Sequence, residues 1–72
     1  NRRMTNTDIF AKIEGNIGKA CNITLKNRAI IYNRILHGTK GNDYGDFFVV
    51  ISEGKSERAI SATSIADIEI LD

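Results

Sequence analysis

The apolar segments of this chain follow one another too closely for a parallel sheet. A helical pattern over about residues 6–15 is followed by five β-prone stretches with short connections. The stretches are residues 19–26, 29–37, 47–52, 57–62 and 66–71. Parallel neighbours need a crossover connection of about a dozen residues or more, and there is no room for one. The sequence therefore predicts an all-β fold: a small five-stranded antiparallel barrel with a short N-terminal α-helix that covers one end.

The helical segment carries its own start and stop signals. Thr5 can cap the helix, and Asp8 stands three positions on, as in a capping box. Gly15 or Gly18 is predicted to end it, because glycine reaches positive φ at low cost. The spacing of the apolar residues predicts one buried stripe. That stripe consists of Ile9, Phe10, Ile13 and Ile17.

Several of the predicted strands are apolar on both faces. Residues 29–37 carry apolar side chains in both parities, which predicts a bulge or a strong bend. Residues 38–45 contain three glycines and predict a loop. Phe47 and Phe48 must point to opposite faces of one strand, so that one of them needs a cover outside the barrel. The cover can be the N-terminal helix, a partner subunit or a ligand, and the doubly apolar strands favour an interface. Its predicted residues are Phe48, Val50, Ile60 and Ile68.

The length of the chain limits the core that it can bury. Seventy-two residues form at most one domain with a thin core, and we interpret residues 1–4 as a leader and residues 5–72 as a single small-barrel domain. Cys21 is the only cysteine and His37 the only histidine, so a disulfide within the chain is impossible and no metal or other cofactor is predicted. Self-association is the remaining means of stabilisation, and the sequence favours a homo-oligomer.

Cysteine usage and hydropathy also bear on location. A single cysteine is typical of a reducing compartment. No run reaches the roughly 18 apolar residues of a membrane helix, and the sequence does not start with a basic and then apolar signal pattern. We therefore expect a cytoplasmic protein without a membrane partner.

Charge is distributed unevenly along the chain. Residues 1–40 hold eight basic and two acidic residues, a net +6, whereas residues 41–72 hold two basic and seven acidic residues, a net −5. This asymmetry favours an anionic partner, RNA or DNA. Two alternatives stay open: folding mixes the charges, or opposite halves of neighbouring subunits attract each other. Cations interleaved with tyrosines suit a phosphate backbone and stacked bases. The candidate nucleic-acid-binding residues are Lys19, Lys26, Arg28, Tyr32, Arg34 and Tyr44.

The arrangement of these candidates depends on the second strand. Arg34 shares a face with Tyr32 and Arg28 only if no bulge intervenes between them. The alternative function is a protein–protein interaction module, an adaptor or an inhibitor, that docks through apolar strand faces and the acidic C-terminal half.

The sequence contains no recognisable set of catalytic residues. His37 has no Cys or carboxylate partner at a known spacing. Cys21 falls on the apolar face of its strand, where free cysteine acts as a small hydrophobe. Asp43 and Asp46 lack the spacing of a calcium loop and are explained by turn chemistry. We therefore predict that the protein is not an enzyme.

Three stretches resemble the Sm-like family of small β-barrels. Residues 17–28 read I-G-K-A-C-N-I-T-L-K-N-R and resemble the family pattern G-x-x-V-x-V-x-L-K-x-G-R. Residues 42–48, N-D-Y-G-D-F-F, are similar to its loop pattern, and residues 65–70, I-A-D-I-E-I, to its short turn and last strand. The resemblance implies a small barrel, RNA binding, and rings formed by pairing of edge strands, here 57–62 and 66–71.

The chain also departs from that family at its RNA-binding positions. Asp46 stands where Sm-like RNA binders carry the Asn that contacts the base. Residues 61–63, S-A-T, replace a pair of a basic residue and glycine. The resemblance therefore implies the fold more than the family's usual base-binding site, and nucleic acid is expected to bind elsewhere.

Overall fold

One antiparallel sheet makes up most of the molecule. The computed structural model describes residues 4–43 and 46–71. Its elements are α1 (Asn6–Glu14), β1 (Ala20–Leu25), β2 (Ile30–Asp43), β3 (Asp46–Glu53), β4 (Ser56–Ser61), a 3-10 turn (Ala62–Ser64) and β5 (Ile65–Leu71). The strands lie in the order β4-β3-β2-β1-β5 and every neighbouring pair is antiparallel. The predicted β-rich antiparallel fold with one short helix is confirmed. In the described residues β4 and β5 are edge strands that do not pair, so the sheet is open and barrel closure is not shown.

The helix begins at the predicted capping box. The Thr5 Oγ1 accepts a hydrogen bond from the Asp8 amide, and the Asp8 carboxylate accepts one from the Thr5 amide, both at 3.1 Å. Ile9 and Ile13 are fully buried. The helix ends at Gly15, whose φ of −84° is right-handed, so no positive φ is used to stop it. Ile17 lies beyond that end and is 58 % exposed, so its prediction as part of the buried stripe is wrong.

The second strand is longer than predicted, because its glycines lie in the strand and not in a loop. Residues 38–43 belong to β2, which corrects this part of the loop predicted over residues 38–45, whereas residues 44 and 45 lie outside the described residues. Gly38 and Gly41 have φ of +144° and +134° and accompany register shifts in the β2–β3 ladder. The first half of β2 pairs with β1 and the second half with β3. A predicted bulge is also present, at Asn33, whose φ is +53°.

The core lies between the helix and the inner face of the sheet. Its members come from every strand and from α1. Phe47 is buried, and its ring meets Phe10 of the helix edge to face at 5.4 Å, whereas Phe48 points outward. Burial of each large apolar side chain contributes about 1.5–3 kcal/mol. The fully buried members are Ile9, Ile13, Cys21, Ile23, Leu36, Val49, Ile51, Ala62 and Ile68.

Met4 is part of the packed structure. Met4, the last residue of the predicted leader, packs against the core, and its amide donates to the Ala66 carbonyl at 3.3 Å. Among the described residues, no helix is long and apolar enough to span a bilayer.

Candidate nucleic-acid interface

The candidate basic residues lie at two opposite ends of β1. Lys19 directly precedes the strand, whereas Lys26 and Arg28 follow it. Six residues of strand span about 20 Å. The structure therefore brings Lys26 and Arg28 together and separates Lys19 from them.

The turn between β1 and β2 presents its two cations to solvent. The Arg28 amide donates to the Leu25 carbonyl at 2.9 Å, and the Asn27 Oδ1 accepts from the Ala29 amide at 3.0 Å. Arg28 has a φ of +76°, which is uncommon outside glycine and is held here by these bonds. The Lys26 amide donates to the Ser64 carbonyl at 2.9 Å, which ties the turn to the 3-10 turn before β5.

A cleft of about 510 Å³ lies between this turn and strand β4. We call it the basic cleft. Its polar lining residues are Lys26, Asn27, Arg58, Ser61, Thr63 and Ser64. Among the described residues it is lined by two cations and no carboxylate. Charged donors and hydroxyl groups in one cleft are the chemistry that holds a phosphate oxygen.

Sequence reasoning missed Arg58 as a site residue. It lies in the acidic half of the chain and is brought to Lys26 only because β4 runs along the open side of the sheet. Strand alternation was the available signal in the sequence. Arg58 lies two residues before the buried Ile60 and therefore on the same face of β4. Its ion pair with Glu53, at 3.8 Å, is exposed and therefore weak.

Arg34 lies on a different face from Tyr32 and does not line the basic cleft. The bulge at Asn33 places it opposite Cys21, so it does not share the face of Tyr32. Its Nη1 lies 3.2 Å from the Ser52 carbonyl and 3.5 Å from the Glu53 Oε1. A face shared by Arg34, Tyr32 and Arg28 requires that no bulge lies between them, and the bulge is present.

Tyr32 lies on a separate outer surface that carries carboxylates. It is 65 % exposed. We call this surface the tyrosine face, and it consists of Asn22, Thr24, Ile30, Tyr32, Asp67 and Glu69, which line an open cleft of about 580 Å³. Its acidic side chains make it a poor surface for a phosphate backbone. Tyr44, the other predicted stacking residue, lies outside the described residues.

The predicted interface residues are divided by burial. Phe48 is 44 % exposed. Val50, Ile60 and Ile68 are buried within the chain itself, at 6 % exposure or less. Because those three side chains are buried within the chain, Phe48 is the one predicted interface residue that is exposed to a partner.

His37 and Cys21, two other residues considered for chemistry, lie in different surroundings. The His37 Nδ1 lies 2.8 Å from the Glu57 Oε2. Cys21 is buried, and desolvation raises the pKa of its thiol, so that the reactive thiolate is disfavoured. Within residues 4–43 and 46–71, no three His, Cys, Asp or Glu side chains come together as a metal site.

No family model, curated protein or solved structure matches this chain. The resemblance to the Sm-like family therefore stays a prediction from the sequence.

Proposed function

We propose that this protein is a small binding module that contacts the phosphate backbone of RNA or DNA through the basic cleft. The observation that carries the proposal is the joint placement of Lys26 and Arg58 with the hydroxyls of Ser61, Thr63 and Ser64. Cations displace the counterions of a nucleic acid, which makes binding favourable and dependent on salt. Hydroxyl and amide groups then fix the position of the phosphate.

The set of binding residues differs from the one expected from the sequence. Lys26 and Arg28 are kept, and Arg58 joins them. Lys19 lies at the other end of β1, and Arg34 is held by Ser52 and Glu53. The path of the nucleic acid therefore follows the β1–β2 turn and the open side of the sheet.

Fluorescence anisotropy with labelled single- and double-stranded RNA and DNA tests this proposal. The Lys26→Gln, Arg58→Gln variant should lose most of its affinity, and its salt slope should fall by about 1.4–1.8, because two phosphate contacts are lost. Lys19→Gln with Lys40→Gln is the matched control, since it removes the same charge from exposed positions outside the cleft lining. Absence of binding by the unaltered protein at low salt contradicts the proposal, as does an equal loss in the control.

A second candidate is a protein-interaction module, either an adaptor or an inhibitor. Among the described residues, five large apolar side chains are more than a third exposed, and exposed apolar surface favours contact with proteins where it is contiguous. They are Ile17, Ile30, Tyr32, Ile35 and Phe48. This candidate requires binding to a partner protein that the Lys26, Arg58 variant retains.

Self-association and a barrel-like curvature of the open sheet belong to the same proposal. Within the described residues no further strand pairs with the outer edge of β4 or of β5, which supports a homo-oligomer, because unpaired edge strands accept neighbours. The pairing of β2 with β1 in one half and β3 in the other supports a barrel-like curvature. A cytoplasmic location is supported by the one buried, free cysteine.

A further inference from the structure

We propose that the tyrosine face binds lysine or arginine side chains of a partner protein. This site is separate from the basic cleft, shares no lining residue with it, and does not depend on the proposed contact with nucleic acid.

The tyrosine face is built from three rows of side chains on adjacent strands. On β2 are Ile30 and Tyr32, and Thr24 of β1 pairs with Ile30. On β5, Asp67 pairs with Thr24 and Glu69 with Asn22. Strands lie about 4.8 Å apart, so the apolar row and the acidic row are about 10 Å apart with Asn22 and Thr24 between them.

The spacing of these rows fits a long cationic side chain. Lysine and arginine carry an apolar stem and a charged head. A stem that lies over Ile30 and Tyr32 places the head next to Asp67 or Glu69. The exposed ring of Tyr32 adds a favourable cation–π contact to this arrangement.

The charge of the surface selects this occupant over a nucleic acid. The lining of the cleft holds two carboxylates against the single ammonium group of Lys12. Within the described residues neither carboxylate forms an ion pair, and Glu69 accepts one hydrogen bond, from the Asn22 amide group at 3.2 Å. Both carboxylates therefore retain acceptor capacity for a guanidinium or an ammonium group.

Titration with a fluorescein-labelled peptide of three arginines separated by glycines tests the proposal. The unaltered protein should bind it and ignore the matched peptide with glutamates. Asp67→Asn with Glu69→Gln keeps the shape and the Asn22 bond but removes both charges, and should weaken binding roughly tenfold. Tyr32→Ala should weaken it roughly threefold.

Glu14→Gln with Glu57→Gln is the matched control, because it removes two exposed carboxylates outside the tyrosine face. It should leave the affinity within about twofold, and amide chemical shifts of the unaltered protein should move on β1, β2 and β5.

No binding at low salt, an equal loss in the control, or shifts confined to other strands would overturn the proposal. Loss of oligonucleotide binding in Tyr32→Ala, with no arginine-peptide binding, would reassign the face to nucleobases. None of these variants alters the basic cleft, so the two proposals fail independently.

Discussion

Gly41 and Phe47 face each other across the β2–β3 ladder so closely that a Cβ atom on Gly41 would lie 2.8 Å from the Phe47 Cα. Any side chain at position 41 must therefore push β2 away from β3, and its φ of +134° adds strain for a residue other than glycine. Because Phe47 is a core residue, this displacement would disturb its packing as well.

Replacement of Gly41 by alanine should lower the free energy of unfolding by about 3 kcal/mol, from strain and overpacking together. A domain of this length has a total of roughly 4–11 kcal/mol, so the loss is large. Gly38→Ala is the control, because its φ is also positive but the space around its Cβ is open. It should cost about 1–2 kcal/mol, from strain alone. Urea unfolding of both variants measures the difference, and equal losses would contradict the close-approach explanation.

The same glycines show where sequence reasoning reaches its limit. Three glycines in eight residues are typical of a loop, and only the pairing of β2 with β3 shows that Gly38 and Gly41 lie in an extended strand. Patterns that involve only neighbouring residues predicted the structure better than the glycines did. The capping box and the alternation of Phe47 and Phe48 depend on neighbours a few residues away, and both predictions are confirmed.

The candidate sites are set by contacts between distant parts of the chain. Arg58 and Lys26 line one cleft at the open side of the sheet, and Asp67 and Ile30 are each paired with Thr24 of β1. Neither relationship follows from spacing along the sequence. The sequence predicts a bulge or a bend in the second strand but not its position. The position at Asn33 decides which face Arg34 occupies, and it depends on the β1–β2 register.

Loss of the helix cap should destabilise the domain without altering its core. Thr5→Ala removes the hydroxyl oxygen that accepts a hydrogen bond from the Asp8 amide, and it should lower the free energy of unfolding by about 1 kcal/mol. Thr7→Ala is the control, since Thr7 is exposed inside the same helix turn, and its change should stay within about 0.5 kcal/mol. Thermal unfolding followed by circular dichroism gives both values. A Thr5→Ala variant as stable as the Thr7→Ala variant would show that the capping box contributes nothing.

Replacement of Phe48 by glutamate should leave the domain folded and reduce its molecular mass in solution. The side chain is 44 % exposed on the outer face of β3, so a charge there is tolerated by the chain and disfavoured in an apolar contact between subunits. Light scattering coupled to size-exclusion chromatography measures the mass, and circular dichroism checks the fold. Phe47→Glu is the contrasting change and should prevent folding, because Phe47 is 2 % exposed. A monomeric unaltered protein, or a folded Phe48→Glu variant of unchanged oligomeric mass, would contradict the proposed self-association.

Burial of Cys21 should make the stability of the protein sensitive to alkaline pH. Desolvation raises the pKa of this thiol above its ordinary value of 9.0. A pKa that is raised on folding gives stability that is fully present below the unfolded pKa and is lost as the pH rises through the folded pKa. The free energy of unfolding should therefore begin to fall above about pH 9, where the unfolded thiol ionises and the folded one stays neutral. Cys21→Ala removes this contribution, so the stability difference between the two proteins should shrink above that pH. In the same range a thiol reagent should label the unfolded chain much faster than the folded one. A difference that stays constant from pH 7 to pH 10, or equal labelling rates, would show that Cys21 is accessible to water in the folded protein.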